Sequence, residues 1–431
     1  MASFRKVLII TYDFYPDNSP NTYRWFNIAK NWQEKGVQVF VIAANKNQFP
    51  PYEEVNGIKI YRTGEYAIGN LKYSFDMQNN IAAIPVKKNF IRPKQMLIKL
   101  LRKIYNLTWS KLYWPDYAFL WKYSAYPAAK RLIQEEQIEK IITVSWMFTA
   151  HTIGLKLKEN FKQLFWLAAT VDPFSFNSKI NNISIYTNQN EAIERKVFLN
   201  ADLNSVLTER IKEEYILKFP EATKKIVVNK NVFLPINSNL TNKSEKKGII
   251  NLVFVGTLSE ETRPPENLLA LFNNLTLKYP QTQFELNFYG DFTNCLPTLL
   301  AAEGINKTVF LNSRKSKAEI NVILNEADVL VNIGNSNKYQ EPSKVIEYMY
   351  SGKKILNVCT INEDTSANLL KIYPLHLNVF PDALDLSTTL QCVFEFLNRE
   401  MIIEKEVIDN ILNDYLLNNV ADKYYKYVFE S

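Results

Sequence analysis

Apolar residues along this chain form short, nearly continuous runs that alternate with longer amphipathic stretches. At the start, the pattern predicts an apolar strand over 6–11, an amphipathic helix over 21–35 that stops at Gly36, and a second apolar strand over 37–43. Continuous apolar strands of this kind are typical of parallel sheets that are covered on both faces. The opening of the chain therefore predicts a βαβ unit.

The alternation continues along the chain, and its main interruption is the polar stretch NSNLTNKSEKKG at 237–248. A polar stretch that ends in glycine is expected of a linker, so we predict an amino-terminal domain over 1–240 and a carboxyl-terminal domain over 249–414. Each half has the pattern of an α/β domain with a doubly wound parallel sheet. Ligands of such sheets bind at the carboxyl ends of the strands, so the loops at those ends are where chemistry is expected.

Length and composition agree with two folded domains. A chain of 431 residues exceeds what one hydrophobic core usually organises, and 47% of its residues are hydrophobic and 22% charged. It has three cysteines without a CxxC pair, two histidines and no DxD triplet, so neither a disulfide framework nor a metal site is expected. The first apolar run is too short for a signal peptide or a membrane span, so we expect a cytoplasmic protein.

Positive charge is concentrated in one segment. The net charge is +7, and eight Lys or Arg but no acidic residue occur between Met77 and Pro115. Four leucines, an isoleucine and a methionine at near-helical spacing accompany these cations, as an interfacial helix requires. We predict a peripheral contact of residues 87–111 with an anionic membrane, and the alternative is a domain-packing helix with a solvated basic rim. No nucleic-acid module is evident, so nucleic acid is not an expected partner.

Two segments of the second half carry groups suited to an anionic ligand. In VFVGTLSEETRPPEN a predicted buried strand ends at Gly256, and Arg263 precedes two prolines that suit the first turn of a helix. In EPSKVIEYMYSGKKIL a helix is predicted to begin near Ser343, with Lys344 beside its unpaired N–H groups, which favour a phosphate. One turn further, either Glu347 accepts hydrogen bonds from a vicinal diol or it pairs with Lys344 on a solvated helix face.

These segments resemble the donor-binding elements of glycosyltransferase family 4, in the same order along the chain. The amino-terminal half is similar too, since YDFYPDNSPNTYRWFNIAKNWQEKGVQVFVIA resembles the family's first βαβ unit and ATVDPFSF its acceptor-side Asp-Pro segment. The resemblance implies the α/β GT-B fold, in which two doubly wound Rossmann-like domains face a central cleft. It also implies that a carboxyl-terminal helix, about 415–431, returns to the first domain.

The activity implied by the resemblance is that of a hexosyltransferase-like, metal-independent enzyme. It would transfer a sugar, with retention, from a nucleotide-diphosphate sugar to a hydroxyl of a glycan or lipid-linked acceptor. The donor is a substrate, and no cofactor is expected. The setting implied is surface polysaccharide or glycolipid synthesis at the inner membrane face. A non-catalytic nucleotide-sugar-binding protein and a nucleotide-sugar epimerase of the same fold are the alternatives.

Several residues match family positions individually. Glu347 matches the glutamate that holds the nucleotide ribose, Arg263 a basic residue on the diphosphate, and Gly256 the glycine that lets the phosphates approach the backbone. The family's other glutamate falls at Tyr339, so Glu341 is the nearest acid, and an arginine common after the glycine is replaced here by a threonine. The donor-binding residues implied are Gly256, Thr257, Arg263, Glu341, Ser343, Lys344 and Glu347.

Four residues are candidates for catalysis. Arg263 and Lys344 would stabilise the leaving diphosphate on the donor side. On the acceptor side, Asp172 in ATVDPFSF and His151 in FTAHTIGL follow predicted strands of the first half. Their structural alternatives are a turn role for Asp172, which precedes a proline, and a hydrogen-bonded position at a helix start for His151.

Overall fold

The structure is a computed structural model that describes residues 5–17, 19–45, 49–64, 112–176, 184–235, 248–339 and 342–430. The chain divides into two compact units. Unit 1 comprises Met1–Val232 together with Leu417–Ser431, and unit 2 comprises Phe233–Leu416. The boundary therefore precedes the polar stretch at 237–248, of which only Gly248 is described.

The described part of unit 1 is built on an eight-stranded sheet. Its strands are β1 (Lys6–Thr11), β2 (Gln38–Asn45), β3 (Tyr52–Val55), β4 (Ile58–Gly64), β5 (Lys140–Ser145), β6 (Phe165–Thr170), β7 (Leu203–Val206) and β8 (Ile226–Val228). They lie in the order β3-β4-β2-β1-β5-β6-β7-β8, and every pair is parallel except β3 with β4. The register sets Ile9 of β1 opposite Val41 of β2 and Ile142 of β5.

Helices connect these strands as the apolar pattern predicts. They are α1 (Pro20–Glu34), α2 (Lys122–Glu135), α3 (Thr149–Asn160), α4 (Thr187–Asn200) and α5 (Glu209–Lys218). The predicted opening βαβ unit is confirmed, since α1 joins the parallel pair β1 and β2. Ser19 caps α1 by accepting a hydrogen bond from the Thr22 N–H at 3.1 Å, and Gly36 follows the helix with a φ of +82°.

Unit 2 contains, within its described residues, a six-stranded sheet that is parallel throughout. Its strands are β9 (Ile249–Thr257), β10 (Gln283–Asp291), β11 (Val309–Asn312), β12 (Val329–Ile333), β13 (Lys354–Val358) and β14 (His376–Val379). Their order is β11-β10-β9-β12-β13-β14. The order reverses between β9 and β12, which makes the carboxyl ends of these two strands the place where such a sheet binds its ligand.

Seven helices of unit 2 lie in its described part. They are α6 (Glu266–Lys278), α7 (Leu296–Leu300), α8 (Lys317–Glu326), α9 (Ser343–Tyr350), α10 (Thr365–Leu370), α11 (Ser387–Asn398) and α12 (Lys405–Leu412). Side chains of α6, α7 and α11 pack in one buried cluster with Phe254 and Phe288 of the sheet. Those of α8, α9, α10 and α12 pack in another with Val253 and Val255. The sheet is therefore covered on both faces, which explains its continuous apolar strands.

The last helix, α13 (Leu417–Phe429), belongs to unit 1. It packs on α1, where the Trp32 indole N–H donates to the Ala421 carbonyl at 3.0 Å. Arg24 of α1 is also buried and donates to the Tyr424 hydroxyl at 3.2 Å. Short 3-10 helices complete the described elements, at Phe119–Trp121, Ser184–Tyr186, Pro220–Lys225, Pro381–Ala383 and Asn413–Tyr415. In the described ranges, the length and hydropathy of every helix fall short of what crossing a membrane requires.

Candidate functional site

Two facing glycines shape the carboxyl end of β9. Gly256 of β9 is paired with Gly290 of β10 in the parallel register. A Cβ atom on Gly290 would lie 1.7 Å from the Gly256 carbonyl oxygen, so any side chain there collides with backbone. A Cβ atom on Gly256 would lie 3.6 Å from Nη1 of Arg263. The Arg263 guanidinium therefore lies against Gly256 at the strand end, and Thr257 follows as an exposed residue.

Arg263 is held at this strand end by both its backbone and its side chain. Its N–H donates to the Ser259 carbonyl at 2.8 Å, which closes the loop after β9. Its Nε and Nη2 donate to Oδ1 of Asn335, just beyond β12, at 3.1 and 2.9 Å. Nη1, beside Gly256, makes no hydrogen bond within the described part of the chain. One side of the guanidinium is thus fixed, and the other keeps N–H donors for an anion.

Helix α9 brings Lys344 and Glu347 to the same region. Burial lowers the pKa of Lys344, the Glu347 carboxylate raises it, and Arg263 and Arg314 lower it again. These effects place one carboxylate and two further cations within electrostatic reach of the Lys344 ammonium. Among the described residues, neither the Lys344 ammonium nor the Glu347 carboxylate makes a hydrogen bond or an ion pair, so the direct Lys344–Glu347 pair is not formed. An anionic ligand would relieve the repulsion among the three cations.

Tyr348 fixes α9 to the end of β9. Its buried hydroxyl accepts a hydrogen bond from the Val255 N–H at 2.9 Å, one residue before Gly256. The strand pairing of β9 with β12 ends at Phe254 and Val331, so the Val255 N–H on that side needs another partner. Burial raises the pKa of Tyr348 well above its ordinary value, which keeps the phenol protonated.

A buried carboxyl group, Asp364, supports the site from the side of β13. It caps α10, since one oxygen accepts from the Ala367 N–H at 2.7 Å. Its second oxygen has no hydrogen-bond partner among the described residues and lies against Gly334, where a Cβ atom would approach it to 1.8 Å. Gly334 directly precedes Asn335, the acceptor for Arg263. Burial raises the pKa of Asp364, and the position required by its carboxyl group is compatible only with glycine at 334.

Sequence reasoning placed some donor-side residues and missed others. Glu341 lies outside the described residues, and of Ser343 only the backbone, as the first residue of α9, is described. Arg314 and Asn335 were not singled out, although each lies two residues after the end of an apolar strand, β11 and β12. That position was the one available signal for both. Asp364 carried no signal of its own, because an acid before a helix is ordinarily just a cap.

On the acceptor side, Asp172 follows β6 and is half-buried. Glu194 of α4 fixes the loop that carries it. The fully buried carboxylate accepts from the N–H groups of Phe174 and Ser175 at 2.7 and 2.8 Å and from the Tyr215 hydroxyl at 2.5 Å. Burial raises the pKa of Glu194. Sequence reasoning missed this carboxylate, since an acid in a polar helix gives no hint of burial.

His151 lies inside unit 1 with a relative exposure of 0%. Its Nδ1 is 2.7 Å from the Thr143 hydroxyl oxygen and its Nε2 is 3.2 Å from that of Thr170. Burial lowers the pKa of His151 to about 3, so the ring is neutral at physiological pH. Both ring nitrogens have hydrogen-bond partners and the ring is not exposed. This geometry matches the structural alternative for His151, a hydrogen-bonded position at a helix start. The acceptor-side role of Asp172 stays a prediction.

The buried His151 predicts a pH dependence of stability. Between about pH 6.5, the ordinary histidine pKa, and about pH 3, the unfolded chain binds a proton that folded His151 does not. The free energy of unfolding should therefore fall as the pH is lowered. His151 contributes about 1.4 kcal/mol of this loss per pH unit. We expect His151→Gln to lose less stability than the wild type in urea denaturation between neutral pH and about pH 5.5.

Buried carboxyl groups such as Asp116 and Glu194 have raised pKa values and act in the opposite direction. They are present in both proteins, so the difference between wild type and variant isolates His151. An equal loss of stability in the two proteins would show that His151 binds a proton as readily in the folded state as in the unfolded state.

Comparison with known proteins identifies the class of fold. No protein-family model and no curated protein sequence matches the chain, but solved structures do. The lipopolysaccharide outer core galactosyltransferase WaaB is 13% identical with a TM-score of 0.62, over 99% of each chain. A trehalose-6-phosphate protein from E. coli bound with UDP-2-fluoro glucose is 12% identical with a TM-score of 0.64, over 98% of each. WaaG, a glycosyltransferase involved in lipopolysaccharide biosynthesis, is 11% identical with a TM-score of 0.56, over 99% of this chain and 100% of WaaG.

These likenesses establish the fold, which is that of GT-B glycosyltransferases with two parallel-sheet α/β units. The predicted fold class is confirmed. Membership of family 4 within that fold stays a prediction. Within the described ranges, no three His, Cys, Asp or Glu side chains converge in the way that a metal ion requires.

Proposed function

We propose that this protein is a hexosyltransferase-like glycosyltransferase that acts without a metal. It moves a sugar from a nucleotide-diphosphate sugar to a hydroxyl of a glycan or lipid-linked acceptor. Retention of configuration at the sugar is part of the proposal because of the resemblance to family 4. The setting is the synthesis of a surface polysaccharide or glycolipid on the cytoplasmic face of a membrane.

One observation carries the proposal, the group of three cations and one carboxylate at the switch point of unit 2. Departure of a nucleoside diphosphate leaves negative charge on phosphate oxygens, and pre-positioned cations stabilise that charge as it develops. Nη1 of Arg263 and the Lys344 ammonium make no hydrogen bond within the described ranges, so positive charge is available without a metal. Gly256 and Thr257 border this place at the end of β9, and the backbone of Ser343 opens α9 beside it.

Glu347 is proposed to hold the ribose. It lies one helical turn beyond Lys344, and its carboxylate makes no hydrogen bond to a described residue. Such a group can accept two hydrogen bonds from the vicinal ribose hydroxyls while Lys344 faces the phosphates. On the acceptor side, Asp172 is proposed to act on the attacking hydroxyl, with its loop fixed by Glu194.

Membrane association through residues 87–111 is a further part of the proposal, and these residues lie outside the described ones. Their eight cations suit an anionic lipid surface. A lipid-linked acceptor would be presented at such a surface.

The proposal is tested by a thermal-shift screen of nucleoside diphosphates and their sugars. A ligand that binds the folded state raises the melting temperature of the protein. The nucleotide that does so should then be released slowly from its sugar conjugate in the absence of an acceptor. Binding without any release would favour the non-catalytic binder, and conversion to a different nucleotide sugar would favour the epimerase. The absence of any shift across the screen would contradict the proposal.

We expect Glu347→Ala to weaken binding of the nucleotide found in that screen by about 1 to 3 kcal/mol, the range for hydrogen bonds to a charged group. Isothermal titration calorimetry measures the change. The loss should be much smaller for the corresponding 2′-deoxynucleotide, which lacks one of the two hydroxyls. Glu395→Ala, on the exposed face of α11, is the matched control. If Glu347→Ala and Glu395→Ala bind the nucleotide equally well, the ribose role is wrong.

A further inference from the structure

We propose that Asp364 is a positioning residue for the anion site of unit 2. Its carboxyl group fixes the backbone at Gly334, and this in turn sets Asn335 and the Arg263 guanidinium in the place that a diphosphate requires. Asp364 itself is not assigned any contact with a ligand. The inference rests on the proposed function, in which Arg263 binds the diphosphate of the donor.

Asp364 lies on the β13 side of the site, where one of its oxygens is held by two neighbours. The residue is only 1% exposed. Its Oδ1 accepts a hydrogen bond from the Ala367 N–H at 2.7 Å and one from the side chain of Asn357, a buried residue of β13, at 3.4 Å. The carboxyl group is therefore tied both to the start of α10 and to the sheet.

Asn357 is the middle member of a row of asparagines that crosses three strands. Asn332 of β12, Asn357 of β13 and Asn378 of β14 are partners in the parallel register. The side chain of Asn332 donates to that of Asn357 at 2.6 Å, and the side chain of Asn357 donates to that of Asn378 at 2.8 Å. Polar side chains are costly to bury unless their partners are fixed. The row therefore gives Asp364 a rigid base.

The second oxygen of Asp364 fills the space beside Gly334. A Cβ atom on Gly334 would lie 1.8 Å from Oδ2 and 2.8 Å from Cγ of Asp364, so the carboxyl group occupies the volume that a side chain at 334 would need. The Gly334 N–H donates to the Val358 carbonyl at 2.9 Å, and the Thr360 hydroxyl donates to the Gly334 carbonyl at 2.7 Å. Removal of the carboxyl group would leave a cavity against this backbone, toward which the backbone can shift.

The backbone after Gly334 holds Arg263. The next residue, Asn335, is buried, and its Oδ1 accepts from Nε and Nη2 of Arg263. The residue after it, Ser336, donates its N–H to the carbonyl of Thr262, the neighbour of Arg263 in the chain, at 2.9 Å. A shift at Gly334 is therefore passed on to the guanidinium within two residues. Displacement of a binding group by about 1 Å is enough to weaken its action on a ligand strongly.

Asp364 also lies within electrostatic reach of Arg263. Burial lowers the pKa of Arg263, and the charges of Tyr348 and Asp364 raise it. A carboxyl group in this place acts on the guanidinium by position or by charge, and replacement by asparagine separates the two. Asp364→Asn keeps the shape and the acceptor oxygen but carries no charge. We expect it to bind a nucleoside diphosphate within about twofold of the wild type.

The test is calorimetric titration of the full chain with ADP, CDP, GDP, UDP and dTDP, and with the nucleoside of whichever diphosphate binds most tightly. We expect Asp364→Ala to weaken binding of that diphosphate about tenfold and to leave binding of the nucleoside unchanged. Thr208→Ala is the matched control, because it removes the N-cap of α5 in unit 1, where Thr208 accepts from the Ile211 N–H. It should bind the diphosphate as the wild type does.

Two double variants show whether Asp364 acts through its neighbours. Gly334→Ala alone should weaken diphosphate binding at least as much as Asp364→Ala does. Combining the two should restore part of the affinity, because the methyl group takes the space that the carboxyl group has left. In the Arg263→Ala background, Asp364→Ala should have no further effect on diphosphate binding. An effect on stability alone would not depend on Arg263 in this way.

The positioning role is overturned if Asp364→Ala binds the diphosphate as the wild type does, if it loses the nucleoside equally, or if its loss persists in the Arg263→Ala background. A loss of about tenfold in Asp364→Asn would assign the effect to charge and overturn it too. Asp364→Asn and the combination with Gly334→Ala give the answer if Asp364→Ala does not fold. Failure of every diphosphate to bind the wild type rejects the proposed function itself, and this inference with it.

Discussion

Replacing Arg263 with alanine is expected to weaken binding of a nucleoside diphosphate by about 3 kcal/mol, or about 100-fold in Kd. The structure fixes this guanidinium from one side, where Nε and Nη2 hold Oδ1 of Asn335. It leaves Nη1 beside Gly256 without a partner in the described residues. A pre-positioned arginine loses little entropy when it binds phosphate, so its removal costs most of a charge-assisted interaction.

Two further variants separate charge from geometry. Arg263→Lys keeps the charge but cannot make the paired contacts to Asn335, so we expect it to recover only part of the lost affinity. Arg399→Ala removes an exposed arginine elsewhere in unit 2 and should leave binding unchanged. Calorimetric titration of the diphosphate and of the free nucleoside measures these effects. A similar loss for both ligands would mean that Arg263 does not contact the phosphates.

Gly290→Ala is expected to destabilise unit 2 by about 3 kcal/mol or more. The new Cβ atom would lie 1.7 Å from the Gly256 carbonyl oxygen, and Gly290 has a φ of +152°. The colliding atom belongs to the backbone of a neighbouring strand, so rotation of a side chain cannot relieve the contact. β9 and β10 would have to separate at the end that carries Thr257 and the Arg263 loop.

Gly248→Ala is the control for backbone conformation alone. Gly248 has a φ of +103°, but a Cβ atom there meets nothing within 4 Å. It should cost only about 1 kcal/mol. Chemical denaturation followed by circular dichroism gives both values. Equal small losses in the two variants would show that β9 and β10 separate at little cost.

The sequence pattern marks residues by their place on a single strand or helix, and it does not show which residues from different elements lie together. The chain pattern drew attention to Gly256, Arg263, Lys344 and Glu347 because each lies at a strand end or a helix start. In the structure the three charged residues among them are close enough to interact. Their roles toward a ligand remain predictions. Arg314 joins them from β11, two strands from β9, and periodicity along the chain does not reveal that neighbourhood.

Buried polar groups also show the difference between what the local sequence pattern reveals and what only folding decides. His151 and Glu194 each lie in a helix with other polar residues, and nothing in the chain pattern distinguishes the buried polar residue from the exposed ones. Folding places His151 between two threonines and Glu194 against two backbone N–H groups. A buried polar group is stable only with such partners, and the partners come from other strands and helices.

By itself, the sequence determined the α/β class of both halves and the location of most strands and helices. These follow from local periodicity, from caps such as Ser19 and from glycines such as Gly36, because each of these signals lies within a few neighbouring residues of the chain. Tertiary structure alone decided which strand ends lie side by side, and so which cations share one site. It also decided that α13 packs on α1 of unit 1. The physical reason is that strand order and long-range packing depend on burial across the whole chain, which no local pattern encodes.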